Sequence, residues 1–349
     1  MSRPVVAFLF GGASAEHDIS VKSAVEIAAA LDTTRWEPVW VGITRAGAWL
    51  LCDRPGPGWQ DGALRRAAVS PDRGVHGLLV AEADGVRELR VDAVFPVLHG
   101  TGGEDGAIQG LLELAGIPYA GCGIAASAIC MDKSLAYVVA RAAGIATPRF
   151  AIVDDDEPAL PPPAYPVFVK PARSGSSFGV RRVDRPADLA DAIADARRYD
   201  DKVLVEGAVA GREVGCAVMG TAAAPTVGEV DLIAMERGFF RIHQEAAPEQ
   251  GSENAVITVP APVPPEVRDR IRATAVAIYR ALGCSGLARV DMFLTPHGEV
   301  VLNEVNTLPG FTSYSRYPRM MAAAGIGMTE LLDRLIEAAL ASASAAAVP

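Results

Sequence analysis

Near the C-terminus, three oxygen-bearing side chains stand where two short strands would bring them together. Asp291 lies in Leu287-Ala288-Arg289-Val290-Asp291-Met292-Phe293-Leu294. Glu304 and Asn306 close Val300-Val301-Leu302-Asn303-Glu304-Val305-Asn306. Both runs are rich in apolar and β-branched residues, and Pro296-His297-Gly298 between them is a turn signal, so the pair reads as a hairpin. Side chains alternate across a strand, which puts Glu304 and Asn306 on one face, where Asp291 of the partner strand can meet them. Three such donors suit Mg²⁺, which takes few protein ligands and keeps places for water and phosphate oxygens. From the hairpin alone, a pair of solvated strand ends is the competing reading.

A second chemical feature is the loop Arg173-Ser174-Gly175-Ser176-Ser177-Phe178-Gly179. Its glycines allow backbone N–H groups to fold closely over an anion. Lys170, at the end of the preceding apolar run, is placed to neutralise the same anion. The loop lacks GK[ST] and opens no dinucleotide-binding unit, and by itself it also fits a flexible hairpin turn.

Composition narrows the partners. The chain has 349 residues, half of them hydrophobic, and a formal net charge of −10 with no basic run. Nucleic acid and anionic membrane are disfavoured as partners, and no apolar run is long enough to span a bilayer. Five scattered cysteines without CxxC spacing point to a reduced, cytoplasmic protein with no cysteine metal site. Only Lys22, Lys133, Lys170 and Lys202 are lysines among 32 basic residues. Where Arg is used so freely, a retained Lys marks a place that favours a compact ammonium.

The elements that must position these groups follow from periodicity and punctuation. Strands are expected at 5–10, 39–43 and 91–98, with helices at 20–31 and 106–115, the pattern of an open, mainly parallel α/β sheet whose functional loops follow its strands. Those loops are 11–17 and 99–105. A helix at 131–143, a strand at 167–170, a helix at 186–199 and a strand at 203–206 make a central unit. Residues 213–219 and 226–233, with the metal hairpin, suggest a large antiparallel sheet. The stripe Val267, Ile271, Ala275, Ile278, Leu282 predicts a helix packed on that sheet. The Ala/Ser-rich tail after Ala341 is expected to fray. His17, His76 and His297 receive no role, and the four tryptophans read as packing residues.

Taken together, the ordered segments resemble the D-alanine–D-alanine ligase family, with its ATP-grasp fold, over nearly the whole chain. They are Phe10-Gly11-Gly12-Ala13-Ser14-Ala15-Glu16-His17, Leu98-His99-Gly100-Thr101-Gly102-Gly103-Glu104-Asp105-Gly106, Met131-Asp132-Lys133, Lys170-Pro171 with the loop 173–179, and residues 303–315. More narrowly, the chain is similar to the D-alanine–D-lactate ligases of bacteria resistant to glycopeptides such as vancomycin. That likeness rests on Arg241-Ile242-His243-Gln244-Glu245, on Gly251-Ser252-Glu253-Asn254, and on residues 309–318 with Arg316.

The resemblance implies an α/β chain, α+β in its C-terminal part. An open parallel-sheet N-terminal domain (1–122) would precede a central ATP-grasp subdomain (123–212) and a C-terminal ATP-grasp domain (213–349). It implies ATP as co-substrate, which phosphorylates the carboxylate of a first D-alanine. A second substrate, D-lactate or another D-alanine, then attacks the acyl phosphate. Two Mg²⁺ ions, with Mn²⁺ as a substitute, would sit on Asp291, Glu304 and Asn306. Lys133 and Lys170 would contact the phosphates, with Ser176 and Ser177 in the loop covering them. Glu206 and Glu213 match adenine and ribose partners, with the backbone at Ala208-Val209 as the hinge. Glu16 matches the acceptor of the first ammonium, with Ser176 near it; His99 is either a neighbour of that substrate or a satisfied core histidine. Arg289 fits the oxyanion stabiliser, helped by the Gly310 N–H. Ser315 and Arg316 match positions near the carboxylate of the second substrate. His243 stands where D-alanine–D-alanine ligases commonly place a tyrosine, and its positive charge would favour D-lactate. A cytoplasmic homodimer completes the expectation.

Overall fold

A computed structural model describes residues 3–62, 64–154, 157–158, 164–235 and 255–346. The first sheet is built from β1 (Val5–Gly11), followed by helix α1 (His17–Ala30), then β2 (Glu37–Ile43), β3 (Trp49–Cys52), β4 (Arg65–Val69), β5 (Gly77–Glu82), β6 (Gly85–Arg90) and β7 (Ala93–Pro96). Its order is β6-β5-β4-β3-β2-β1-β7. β1 runs parallel to β2 and β7 and is buried from Val6 to Gly11, as a central strand covered on both faces must be. This parallel centre matches the expectation. The antiparallel meander β3–β6 extends it and was not anticipated, because its strands are short and mixed in polarity. Helix α1 starts three residues ahead of the expected 20–31 helix, directly after Glu16.

Two helices follow α2 (Ala107–Ala115): α3 (Ile124–Met131) and α4 (Lys133–Ala142). A single helix over 131–143 was expected, but Asp132 is extended, and its carboxylate accepts the N–H groups of Ser134 and Leu135. Satisfying those two otherwise unpaired donors starts a new helix with Lys133 at its first position. The second sheet contains β8 (Phe150–Asp154), β9 (Glu157–Pro158), β10 (Val167–Pro171), β11 (Arg181–Val183) and, after α5 (Leu189–Ala196), β12 (Val203–Gly207). Its order is β11-β10-β12-β8-β9.

The third sheet is antiparallel throughout: β13 (Arg212–Gly220), β14 (Pro225–Met235), β15 (Ala255–Thr258), then α6 (Pro265–Ala281), β16 (Gly286–Leu294) and β17 (Val300–Asn306), in the order β15-β14-β13-β16-β17. The expected stripe of α6 holds, with Ile271, Ala275 and Ile278 fully buried. Helices α7 (Arg316–Ala323) and α8 (Met328–Ala346) close the chain. The tail expected to fray is helical to Ala346. Alanine favours helix, and Leu331, Leu332, Leu335, Ile336 and Ala339 anchor the preceding turns in the core.

Two cores decide where the loops meet. One joins Tyr137 and Ala140 of α4 and Cys130 of α3 to Val214, Met292 and Leu302 of the third sheet. The other joins Phe8 and Phe10 of β1 and Phe95 of β7 to Phe311, Tyr317 and the inner face of α8. The loops leaving β1 and β7 are thereby pressed against the end of the β16–β17 hairpin.

Candidate active site

The expected hairpin forms, with a bulge in the ladder after Asp291. Asp291 faces Glu304 across the ladder and Arg289 faces Asn306. Asp291 is fully buried, and its carboxylate receives the Arg289 guanidinium in a fork, with Nη2 at 2.8 Å and Nε at 3.0 Å from Oδ2. Asn306 Nδ2 approaches the same oxygen at 3.2 Å, which leaves its Oδ1 as the third oxygen donor. Among the described residues no three His, Cys, Asp or Glu side chains form a closed metal cage. The donor set is two carboxylates and a carboxamide, all hard oxygens on one sheet face. That chemistry fits a divalent cation shared with phosphate rather than one enclosed by protein.

Lys133 links this hairpin to the glycine- and serine-rich loop. Its Nζ lies 3.3 Å from Glu304 Oε2 and donates to the Ser174 carbonyl at 2.7 Å. The start of α4 is held in turn by Lys202, whose Nζ is 2.8 Å from Asp132 Oδ2. Lys170, near the end of β10, forms a buried pair with Glu206 of β12 at 2.7 Å, and Tyr137 donates to the same carboxylate at 2.8 Å. Ala208 and Val209 follow directly, with the Ala208 N–H bound to the Pro166 carbonyl. Glu206 is thus occupied internally by a cation and a phenol, which leaves the chain just beyond it as the exposed edge.

Glu16 sits where α1 begins, and Ser176 donates its hydroxyl to Glu16 Oε1 at 2.6 Å. Ser176 and Ser177 both hold positive φ, 50° and 57°, which turns the loop back across the site. Such conformations are costly for residues other than glycine, and a contact such as that with Glu16 helps to hold them. Two glycines make room for the Glu16 carboxylate. A Cβ at Gly100 would lie 2.8 Å from Glu16 Oε2, and one at Gly175 would lie 3.3 Å away. Glu16→Gln keeps the hydrogen bond but removes the charge that balances an ammonium. The KM for the first amino-acid substrate should rise by about two orders of magnitude, with the KM for ATP nearly unchanged. Steady-state kinetics with each substrate varied separately checks this; equal constants in variant and parent would make Glu16 a loop acid.

Other anticipated residues are engaged by partners within the protein. Arg316 already has carboxylate partners within the protein. It is buried at 3% exposure, forked onto Asp231 at 2.6 and 2.8 Å, with Nη1 3.1 Å from Glu213 and 3.0 Å from Asp291. Three carboxylates from β13, β14 and β16 share it, so it joins the sheet to α7. Ser315 Oγ lies 2.6 Å from Thr312 Oγ1 and accepts the Thr312 N–H, just ahead of α7. A Cβ at Gly310 would meet Ser315 Oγ at 2.8 Å, so glycine there permits the close approach. His99 is buried, and its Nδ1 lies 2.8 Å from the Leu308 carbonyl, a core contact rather than an exposed one. Burial holds its pKa below the usual range, against the pull of Glu16. His243 and the segments 241–245 and 251–254 lie outside the described residues.

Sequence reasoning assigned nothing to Asp132, Tyr137, Asp231 or Glu104. Asp132 precedes a helix as an N-cap residue would, and Asp231 is one of two acids, with Glu229, in an otherwise apolar strand; both were legible signals. Glu104 carried none beyond its place in a quoted segment. It accepts the Gly100 N–H at 2.9 Å and the Leu308 N–H at 3.0 Å. Burial, reinforced by Glu16, pushes its carboxyl up to about 7, against those two donors and Arg289.

Family models confirm what this geometry resembles. Residues 5–122 match the model described as D-ala D-ala ligase N-terminus, and residues 139–337 match D-ala D-ala ligase C-terminus. The chain belongs to the D-alanine–D-alanine ligase family. Among the relatives of this ligase, a putative D-alanine–D-lactate ligase of Streptomyces coelicolor is 63% identical over 341 residues, covering 97% of this chain and 99% of the relative. The vancomycin/teicoplanin A-type resistance protein VanA of Enterococcus faecium is 60% identical over the same shares. The crystal structure of VanG D-Ala:D-Ser ligase from Enterococcus faecalis superposes with a TM-score of 0.87 at 41% identity, covering 97% of this chain and 99% of that one. The fold is therefore that of ATP-grasp ligases, which use ATP and a divalent metal to join small molecules.

Proposed function

We propose that this ligase joins D-alanine to D-lactate through a D-alanyl phosphate, for cell-wall precursors that escape glycopeptide antibiotics. The structural observation that supports the ligase chemistry is the Ser176–Glu16 contact, which lays the phosphate-type loop over the first-substrate acid. Support for D-lactate comes from the two relatives at 63% and 60% identity, one described as a D-alanine–D-lactate ligase and the other as a vancomycin resistance protein.

In this reading Glu16 holds the ammonium of D-alanine and directs its carboxylate toward the γ-phosphate. Lys133 and Lys170 neutralise the phosphates, and both already face carboxylates that a bound nucleotide would rearrange. The carboxylate oxygen displaces ADP and gains the phosphoryl group. The D-lactate hydroxyl oxygen then attacks the acyl carbon, and phosphate leaves with the hydroxyl proton as hydrogen phosphate. Arg289 and the Gly310 N–H face the oxygen on which negative charge builds. Asp291, Glu304 and Asn306 would hold Mg²⁺, with Mn²⁺ as substitute, and a bound cation supplies charge neutralisation of the transferring phosphoryl group. Ser176 and Ser177 cover the phosphates; Glu206, Glu213 and the 208–209 backbone frame the nucleoside; Ser315 lies by the second substrate. We place the domain boundaries near residues 122 and 212, and the enzyme in the cytoplasm as a homodimer. No helix among the described residues is long and apolar enough to cross a membrane.

The second reading is a dipeptide ligase, supported by the family description itself. His243 discriminates between the two. Histidine titrates near pH 6.5, so protonated His243 would attract the D-lactate carboxylate and repel the ammonium of D-alanine. Competition between D-lactate, D-alanine and D-serine should yield depsipeptide near neutral pH, with dipeptide rising as pH increases. His243→Ala should lose the D-lactate preference by about tenfold or more while keeping some dipeptide synthesis. A parent-like product ratio across pH in that variant rejects this role for His243, and ATP binding without any turnover rejects catalysis altogether.

A further inference from the structure

We propose that Glu104 and His99 are positioning residues that grip the backbone of Leu308 from both sides and so aim the Gly310 N–H at the reacting carbonyl oxygen. The inference rests on the ligase reading above and names a device within that site. Glu104 Oε1 accepts the Leu308 N–H at 3.0 Å, and His99 Nδ1–H donates to the Leu308 carbonyl at 2.8 Å. Both backbone groups of one residue are therefore held by side chains more than 200 positions away in sequence. Those side chains come from the loop after β7, while Leu308 belongs to the run leaving β17.

The grip falls at a telling place. Pro309 has no N–H, so the next backbone donor after Leu308 is Gly310. No partner for the Gly310 N–H is found among the described residues. One residue later the chain is held again: the Phe311 N–H donates to Ser23 Oγ at 3.1 Å, and that hydroxyl faces His99 Nε2 at 3.5 Å. His99 thus uses its protonated Nδ1 on Leu308 and presents Nε2 to Ser23, which fixes the tautomer. Restraint at 308 and 311 leaves little freedom to the donor between them. An oxyanion donor is effective only when its direction is set before charge appears.

The same loop also touches the first-substrate side. The second oxygen of Glu104 accepts the Gly100 N–H at 2.9 Å, and Gly100 packs against Glu16. The charged and titratable groups facing Glu104 are Glu16, Arg289 and Cys122, with His99 bound to the same Leu308. As a carboxylate Glu104 offers acceptors to both N–H groups at once; Gln offers one oxygen and sets an NH₂ group against the other donor.

The test uses the full enzyme at pH 8, above the value of about 7 to which burial pushes Glu104, and compares Glu104→Gln, His99→Gln and the double variant. Depsipeptide and dipeptide synthesis are assayed with saturating ATP. A positioning role predicts kcat lowered by about 30- to 100-fold in each single variant, with KM for the first D-alanine and for ATP within about threefold of the parent. The double variant should be little worse than the worse single, because both act on one backbone unit. Affinity for a phosphinate analogue of the tetrahedral intermediate should fall in step with kcat, since the aimed donor matters most there. Three results would overturn the inference: KM for the first D-alanine rising while kcat holds, multiplicative losses in the double variant, or a lowered melting temperature with parent-like kinetics and analogue binding. Loss of ATP-dependent turnover in the parent enzyme would instead reject the ligase reading itself.

Discussion

Glu304→Gln is expected to lower kcat by about three orders of magnitude while leaving the fold intact. The substitution removes one formal charge from a face that must hold divalent cations beside a triphosphate, and a thousandfold corresponds to about 4 kcal/mol of transition-state stabilisation. Glu304 is partly exposed, with 22% of its side chain open, and Lys133 Nζ lies 3.3 Å from it. Its loss strands no deeply buried group, so circular dichroism and thermal melting should match the parent. Higher Mg²⁺ or Mn²⁺ should recover only part of the rate, because the amide is a poorer ligand than the carboxylate. Near-normal turnover at limiting Mg²⁺ would rule Glu304 out as a ligand.

Arg316→Leu should act in the opposite way, through stability first. Asp231 and Asp291 are both fully buried, and Arg316 supplies a forked partner to the first and a 3.0 Å ion pair to the second. Removing one member of such a cluster leaves an uncompensated buried charge, which costs about 3–5 kcal/mol. In a chain of this size the melting temperature should fall by on the order of 10 °C. Adding Asp231→Leu should recover part of that loss, since the stranded carboxylate is then gone. Calorimetry of the parent, the single and the double variant makes the measurement. If the melting temperature is unchanged and only KM for the second substrate rises, Arg316 is a substrate residue, as its place beside Ser315 first implied.

These two outcomes mark the line between what periodicity reveals and what packing decides. The acidic hairpin was legible because strand alternation is a local rule: Asp291, Glu304 and Asn306 share a face as soon as the two runs pair. Lys133, Lys170, Glu16 and the 173–179 loop were legible as ordered segments of a family pattern, although their contacts with one another were not. The helix break at Asp132 was missed because the run on either side is apolar and helical, and one capping carboxylate decides the boundary. The 19-residue helix α8 was underestimated because its last turns carry no apolar signal of their own and extend a part already anchored in the core.

The sequence by itself determined the elements and the chemistry available to them: an acidic hairpin, a glycine-rich anion loop, two lysines ahead of it, and an acid at the start of the first helix. Each depends on interactions within a few residues or across one turn. Only the tertiary structure decided which of these groups are free and which are consumed. Arg316 looked like a site residue and is bound into three carboxylates, whereas Glu104, to which the sequence assigned nothing, holds the Leu308 backbone. Those assignments depend on contacts 25 to 204 residues apart, set when the cores of the first and third sheets close on shared helices. Burial then makes each buried charge seek whatever partner that closure brings within reach, and no local pattern encodes which one it will be.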